Sequence, residues 1–367
     1  MRFTVQREVL LKPLSQVAGV VERKQTLPVL GNLLVVVDAE GVSFTGTDLE
    51  VEMVSRTAAD KLEPGEITIP ARKLFDICRA LPDGSRIEFK RGTGDKVTLS
   101  AGRSRFTLAT LPAGDFPQID NFDLIERVTL DEATLKELID RTSFAMANQD
   151  VRYYLNGTLL DLRESSLRCV ATDGHRLAIC ETELSGANQT PRQIIIPRKG
   201  VLELQRLLDL GDGSVDIEFG RAHLRVRRGD FVFTTKLIDG KFPDYEAVVP
   251  IAADKQINLG REDFRAALQR ASILSNEKYR GVKLEVSPGR LQIVAHNPEQ
   301  EEASEDLEAE TRVDGLAVGF NVNYLLDALS ALRGERVVLS VRDGNSSCLL
   351  RDADVERSRH VIMPLRL

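Results

Sequence analysis

The chain has 367 residues, 42% hydrophobic and 29% charged, which suits two or three globular cores better than one. Its net charge of −7 and pI near 5.4 speak against a general nucleic-acid binder, which is normally basic. The first seven residues carry no apolar signal segment and no apolar run reaches membrane-spanning length, so a cytosolic protein is expected. Cys78, Cys169, Cys180 and Cys348 are scattered without C-x-x-C spacing, so neither a disulfide framework nor a zinc site is predicted.

In chain order, residues 3–7 alternate like a strand, and Leu10, Leu14, Val17 and Val21 follow at the 4-3-4 spacing of a helix. Strand-like runs are predicted at 33–37, 42–45 and 51–56. A second half repeats the order, with a strand at 67–69, a short helix around Leu74, Ile77 and Leu81, then strands at 86–89, 96–100 and 105–111. Pro82-Asp83-Gly84 and Gly92-Thr93-Gly94 punctuate these elements as turns. The second turn lacks the third glycine of a dinucleotide fingerprint and reads as a hairpin.

The whole pattern then returns twice. Phe3-x-Val5 before Leu10 matches Val128-x-Leu130 before Leu135 and Ile257-x-Leu259 before Phe264, at offsets of 125 and 129. Thr47-Asp48 matches Thr172-Asp173 and, weakly, His296-Asn297. Ile69-Pro70 matches Ile196-Pro197 and Phe320-Asn321, and Phe116-Pro117 matches Phe242-Pro243 and Met363-Pro364. The second helix recurs as Val201, Leu204, Leu207 and Leu208, then as Leu325, Leu326, Leu329 and Leu332. Such repetition predicts an α+β fold of three similar domains, each built from two βαβββ-like halves. The expected domains are residues 1–125, 126–253 and 254–367, with polar boundaries at 120–126 and 252–255.

A strip of three such domains leaves an unpaired sheet edge at each end. Two strips closing head to tail into a ring would remove both edges. The six helical windows are together mildly basic although the chain is acidic, as a helix-lined channel around phosphates would require. Helix surfaces are also often rich in Lys and Arg, and the first helix of the middle repeat is itself acidic.

No P-loop, H-E-x-x-H, G-x-S-x-G or EF-hand pattern is present, and His175, His223, His296 and His360 are dispersed. Asp173-Gly174-His175 offers an acid–base pair on paper. Neighbours on a D-G turn point apart and no third orienting group is evident, so the segment reads as a turn, or a turn that builds a binding surface. No catalytic residue, metal ligand or cofactor is predicted.

The runs 26–34, 149–157, 170–178, 240–245 and 273–278 and the ending 361–367 resemble the bacterial DNA sliding clamps, the beta subunits of replicative DNA polymerase III, in order and across all three repeats. The resemblance implies a non-enzymatic homodimer: a six-domain ring, helices lining its channel, around double-stranded DNA without sequence specificity. It also implies a processivity role, tethering the replicative polymerase's catalytic subunit, the clamp loader, and repair and translesion polymerases through short linear peptides. DNA-facing residues would be Lys24, Arg72, Lys73, Gln149, Tyr153, Tyr154, Arg198 and Lys199, the basic ones meeting phosphates and the tyrosines touching exposed bases. From the residues alone, Tyr153 and Tyr154 read equally well as one core ring and one exposed ring of a strand.

The implied peptide cleft comprises Leu155, Thr172, Gly174, His175, Arg176, Leu177, Pro243, Val248, Ser347, Val361, Ile362, Met363, Pro364, Leu365 and Arg366. By itself the apolar tail also reads as a last core strand. Ala247 and Leu365 stand where relatives often carry Arg and Met, and Asn148 and Lys24 where His and Arg are common. The implied dimer interface packs Phe106 against Ile273 and Leu274, with Lys96, Arg103 and Arg105 facing Glu299, Glu301, Glu302 and Glu305. Without the resemblance, 299–310 would read as a solvated acidic strand or loop.

Overall fold

The computed structural model describes residues 1–22, 27–119, 122–185, 189–208, 212–250 and 253–366. Among them six α-helices follow in chain order: α1 (Arg7–Ala18), α2 (Ala71–Ala80), α3 (Glu132–Asp140), α4 (Arg198–Leu207), α5 (Arg261–Ser272) and α6 (Val322–Ala331). Two compact units are present, Met1–Ala133 with Leu202–Leu237, and Thr134–Val201 with Ile238–Leu367.

The first unit holds a five-stranded antiparallel sheet, ordered Asp60–Glu63, Arg2–Gln6, Arg86–Arg91, Lys96–Ala101, Ser104–Ala109. Its second sheet has eight strands: Leu124–Asp131, Ser214–Gly220, His223–Arg228, Phe231–Lys236, Val51–Thr57, Gly41–Thr47, Asn32–Asp38, Gly65–Pro70. Alternation puts Phe3 and Val5 in the core, where Phe3 stacks on Phe89 at 4.3 Å between centroids. Helix α1 buries Leu10, Leu14 and Val17, and packs on α2 and on strands Gly41–Thr47 and Val51–Thr57.

Within the first repeat the leading strands are exchanged. Arg2–Gln6 pairs with the second half's Arg86–Arg91 (Phe3 opposite Phe89), and Gly65–Pro70 pairs with the first half's Asn32–Asp38 (Leu33 opposite Ile69). Each half therefore covers an edge of the other's sheet.

The second unit has an eight-stranded sheet ordered Arg192–Pro197, Gly157–Leu162, Ser166–Thr172, Arg176–Glu183, Ser358–Ile362, Cys348–Asp352, Arg336–Val341, Lys255–Gly260. A four-stranded sheet follows: Glu302–Glu308, Arg290–His296, Gly281–Ser287, Leu316–Asn321. Helices α5 and α6 pack together on a core that includes Phe264, Leu268, Phe320, Leu325 and Leu329.

The compact units do not follow the three sequence repeats, and strand pairing is the reason. Phe231–Lys236 of the middle repeat pairs with Val51–Thr57 of the first, and Arg176–Glu183 of the middle repeat pairs with Ser358–Ile362 of the last. The middle repeat is thereby shared between the units.

Some expected elements shift. Helix α1 ends at Ala18, before Val21. In α2 the buried stripe is Ala71, Leu74 and Cys78, with Ile77 half-buried. The strand Asp60–Glu63 escaped prediction because it is a mostly exposed edge without apolar alternation. Gly92-Thr93-Gly94 does form the hairpin turn, with Gly92 N–H on Lys96 O and Gly94 at φ +71°.

Candidate functional site

The turn between strands Ser166–Thr172 and Arg176–Glu183 is fixed by its own side chains. Thr172 Oγ1 donates to Arg176 O at 2.6 Å and accepts Gly174 N–H at 3.1 Å. Asp173 Oδ1 accepts the N–H groups of His175 and Arg176 at 2.9 and 3.1 Å. Gly174 sits at φ +89°, and a Cβ there would meet the Arg152 guanidinium at 2.9 Å. The same bonds recur one repeat earlier, where Thr47 bonds Val51 O, Asp48 holds the N–H groups of Glu50 and Val51, and Leu49 takes φ +79°. This is a structural turn repeated, and the carboxylate that a catalytic reading would assign to His175 is spent on it.

What distinguishes the second copy is its surroundings. His175 is exposed and its ring lies parallel to Tyr324 of α6, 6.4 Å between centroids. The Arg176 guanidinium pairs with Asp173 and Asp327, donates to Phe144 O at 2.7 Å and lies 4.6 Å over the Tyr324 ring. Burial and then the Asp173 carboxylate push the Tyr324 phenol above its ordinary value. The C-terminal tail docks alongside: Leu177 is opposite Val361, Met363 N–H bonds His175 O at 2.9 Å, and Leu365 N–H bonds Gly319 O at 2.7 Å. Folding thus brings together the turn and the tail, 186 residues apart between His175 and Val361.

Burial divides the expected cleft residues. Leu155, Leu177 and Val361 are buried in one cluster with Phe242 and Tyr245, and Val248 packs on it half-buried. These form a floor rather than a surface. Ile362 is a correction: as the next residue of the strand it faces the other way, into the core of the last repeat. Pro243 is exposed, and Thr172, Ser347, Met363, Pro364 and Leu365 are half-buried. Tyr245 donates to Asp161 at 2.5 Å and Arg163 donates to the Tyr245 hydroxyl, which anchors the segment carrying Pro243 and Val248. Pro364, Leu365 and Arg366 also border a cavity of about 1150 Å³, with Tyr279, Gly319 and Gly344 among its other walls. Tyr324, Asp327, Phe144 and Tyr279 were missed in the sequence. The aromatic Tyr324 among the apolar positions of α6 was the only signal for any of them.

Lys24 lies outside the described residues. Arg72 and Lys73 are exposed on the first turn of α2, and among the described residues neither forms an ion pair. In the second unit Gln149, Tyr153 and Tyr154 share one loop with Asn156, whose side chain clasps the backbone of Asp150 at both N–H and C=O. Arg152 pairs with Asp150, holding that carboxyl down to about 2, and also donates to Asp173 O. The loop presents Gln149 at φ +56°, Val151 at 95% exposure and Tyr153 at 57%, whereas Tyr154 packs on the Leu155 cluster. Tyr153 is therefore exposed and Tyr154 half-buried, and the two stand in a 3-10 turn, Tyr153–Leu155, rather than in a strand. Arg198 N–H bonds Asn156 O and its guanidinium reaches Met146 O, so the half-buried Arg198 and Lys199 of α4 adjoin this loop.

The expected interface residues lie on or beside two free sheet edges. Ser104–Ala109 ends the five-stranded sheet and carries Arg105 exposed and Phe106 half-buried, with Lys96 and Arg103 exposed nearby. Glu302–Glu308 ends the four-stranded sheet. Beside it Ile273 is 76% exposed and Leu274 half-buried after α5, while Glu299, Glu301 and Glu302 are exposed. Glu305 departs from the expectation: Arg270 of the same chain grips it in a two-pronged pair at 2.6 and 2.9 Å, which lowers its pKa.

Among the described residues no group of three His, Cys, Asp or Glu is placed to hold a metal, and no helix is long and apolar enough to cross a membrane. All four cysteines are buried and free, with burial raising the Cys78, Cys169 and Cys348 thiols to about 12.

Comparison with known proteins accounts for the three repeats. The chain matches the DNA polymerase III beta subunit N-terminal domain over residues 1–120, its central domain over 129–244 and its C-terminal domain over 246–366. It is 54% identical to the beta sliding clamp of Pseudomonas aeruginosa over 368 residues, covering all of both chains. A solved structure of the DNA polymerase III subunit beta from that organism superposes with a TM-score of 0.97 at 53% identity, covering both chains fully. A solved sliding clamp from the same organism bound to griselimycin gives 0.97 at 54%, again with full coverage. With three α+β repeats and both turn and tail in place, the chain belongs to the bacterial DNA polymerase III beta-subunit family, the beta sliding clamps.

Proposed function

We propose that two copies of this chain close head to tail into a ring around double-stranded DNA, and that the ring tethers polymerases to their template. The observation that carries the reading is a joint used twice inside the chain. The last strand of one repeat's second half pairs with the fourth strand of the preceding repeat's first half: Phe231–Lys236 on Val51–Thr57, then Ser358–Ile362 on Arg176–Glu183. One copy of each partner is left free, Ser104–Ala109 and Glu302–Glu308. Their charges are opposite, Arg103 and Arg105 against Glu301, Glu302 and Asp306, so a second copy supplies the missing joint at both ends. The three clamp domains are then 1–125, 126–253 and 254–367.

Encirclement replaces chemistry. Lys24, Arg72, Lys73, Arg198 and Lys199 would supply weak phosphate contacts without base reading, and Gln149, Tyr153 and Tyr154 would touch the strand near a primer end. No catalytic residue is needed for this, and the place of work is the cytoplasm, where the chromosome is. The turn 172–177, Pro243, Val248, Ser347 and the tail 363–366 form the peptide cleft, floored by Leu155, Leu177 and Val361. The replicative polymerase's catalytic subunit, the clamp loader, and repair and translesion polymerases would dock there by short peptides, raising their effective concentration at the template.

Retention on nicked circular DNA tests the topological part. The protein should remain on circles and run off once they are linearised. Equal retention on both forms would refute encirclement, and light scattering that shows only monomers would refute the ring.

A further inference from the structure

The first repeat shows which bonds the cleft turn needs and which it does not. There Thr47 and Asp48 close the turn with the same hydrogen bonds as Thr172 and Asp173, and Val51 stands where Arg176 does. Val51 is buried and has no polar side chain, so no guanidinium is required to fold such a turn. The Arg176 side chain is 13% exposed and serves three elements at once. Its Nε donates to Asp173 of the turn at 3.0 Å, its Nη1 donates to Asp327 of α6, and its Nη2 donates to Phe144 O, after α3, at 2.7 Å. Each nitrogen of the planar fork has an acceptor within this chain, which makes Arg176 a strut rather than a donor waiting for a peptide.

Helix α6 supplies the other end of the strut. Tyr324 and Asp327 are three residues apart, so they share a face of the helix, and both are half-buried beside the stripe of Val322, Leu325 and Ala328. The guanidinium that bonds Asp327 also lies 4.6 Å over the Tyr324 ring, and the His175 ring stacks on the same phenol at 6.4 Å. Consecutive residues of the turn thus converge on one aromatic ring, and the carboxylate beside that ring holds one of them. Among the described residues Asp327 pairs with no other cation. In α4, aligned through Ile196-Pro197 and Phe320-Asn321, Gly200 stands at the Tyr324 position. Glu203, at the Asp327 position, pairs instead with Arg206 of its own helix at 2.9 Å. The constellation of Arg, Tyr and Asp is therefore built beside the docked tail and is not repeated in α4.

We propose that Asp327 is a positioning residue of the peptide cleft: by holding the Arg176 guanidinium it fixes the Tyr324 ring against His175, and so sets the shape of that wall before a peptide arrives. Resting on the cleft assignment above, this role needs no contact between Asp327 and the peptide. Preorganisation is the physical gain. A phenol and an imidazole already ordered in the free protein lose little rotamer freedom when the peptide docks, so less of the contact energy is consumed by ordering. Without the Asp327 charge the guanidinium keeps Asp173 and Phe144 O but loses its grip on α6, and Tyr324 is no longer registered to the turn. A direct role is the competing reading, because 46% of the Asp327 side chain is exposed and could accept a cation of the peptide.

The test uses the full-length protein and a fluorescein-labelled polymerase-tail peptide, followed by anisotropy. Asp327→Asn keeps the shape and removes the charge; for a half-exposed pair it should weaken binding about fivefold, with an unchanged melting temperature. Asp327→Glu restores the carboxylate and should bring affinity back to within about twofold of the parent. In protein carrying isotope-labelled histidine, the His175 ring resonance feels the ring current of Tyr324. It should move toward the position of an exposed imidazole in Asp327→Asn and return in Asp327→Glu, an effect that a general loss of stability does not produce. A peptide whose charged residues are replaced by Gln should suffer the same loss of affinity. Parental affinity in Asp327→Asn, an unmoved His175 resonance, or a loss confined to peptides carrying Lys or Arg would overturn the proposal. A parent protein that bound no peptide would instead overturn the cleft itself, and this role with it.

Discussion

Two kinds of sheet edge in this chain are built from equivalent strands and differ in what they expose. At the internal joint Phe233 and Met53 are opposite each other and fully buried, as are Phe231 and Ser55. At the free edges burial fails: Ser104–Ala109 and Glu302–Glu308 carry mainly exposed or half-buried side chains, and in the second strand four of these are acidic. A joint formed once, during folding, can be sealed by aromatic rings. In the proposed ring, such an edge would have to meet a separate molecule and open again to admit DNA; charge would keep it soluble, and a small apolar patch, Phe106 with Ile273 and Leu274, would hold it.

Breaking the sealed joint should have the largest effect. Phe233→Ala leaves a cavity in the core and should cost about 3–5 kcal/mol, visible as a sharply lowered melting temperature of the whole first unit. A melting temperature within a degree of the parent would mean the joint is not a core. At the free edge the outcome should be different in kind. Ile273→Ala with Leu274→Ala should remove about 2–5 kcal/mol per side chain from association while each protomer stays folded, so light scattering should report monomers with native circular dichroism. Dimers persisting at nanomolar concentration would take both residues out of the interface.

The cleft should be separable from either edge. Deleting residues 363–367 removes the backbone bonds to His175 O and Gly319 O and should abolish binding of a fluorescent polymerase-tail peptide while the dimer survives. His175→Ala, which only unstacks Tyr324, should weaken that peptide more modestly. Undiminished peptide affinity in the truncated dimer would return the tail to the status of a core strand.

Charge should matter less than apolar contact at the free edges. Arg103→Glu with Arg105→Glu should weaken the dimer by about 1–2 kcal/mol, less at high salt, and Glu301→Arg with Glu302→Arg in the partner copy should restore it. A charge-swapped pair no better than the single reversal would argue against facing edges. The smallest effect belongs to Glu305. Arg270 depresses its pKa below the ordinary carboxylate value, so the ionised form is favoured by folding: its contribution is full above the unfolded value and fades as pH falls through the folded one. Glu305→Gln should therefore flatten the acid limb of urea midpoints against pH, by well under about 1 kcal/mol for so solvent-screened a pair. An unaltered acid limb would show the pair contributes nothing.

Much of this molecule is legible in one dimension because it is repeated. Thr47-Asp48 and Thr172-Asp173 announce the same turn, and the structure gives both the same hydrogen bonds. Ile69-Pro70, Ile196-Pro197 and Phe320-Asn321 each close a strand and lead into α2, α4 and α6. Local backbone preference and apolar periodicity act over a few residues, so these features could be read without a fold. The exchange of leading strands between halves could not, since Phe3 pairs with Phe89 and Leu33 with Ile69 across long stretches of chain.

The same limit governs the sites. The chain by itself determined that there are three like units and where their turns fall, Asp173-Gly174 among them. Only tertiary structure decided that His175 faces Tyr324, that Val361 and Ile362 point into different cores, that Arg270 claims Glu305, and which edges stay unpaired. Each of those depends on pairing register or on contacts between distant segments, and a one-residue slip would reverse every face while leaving the local pattern unchanged.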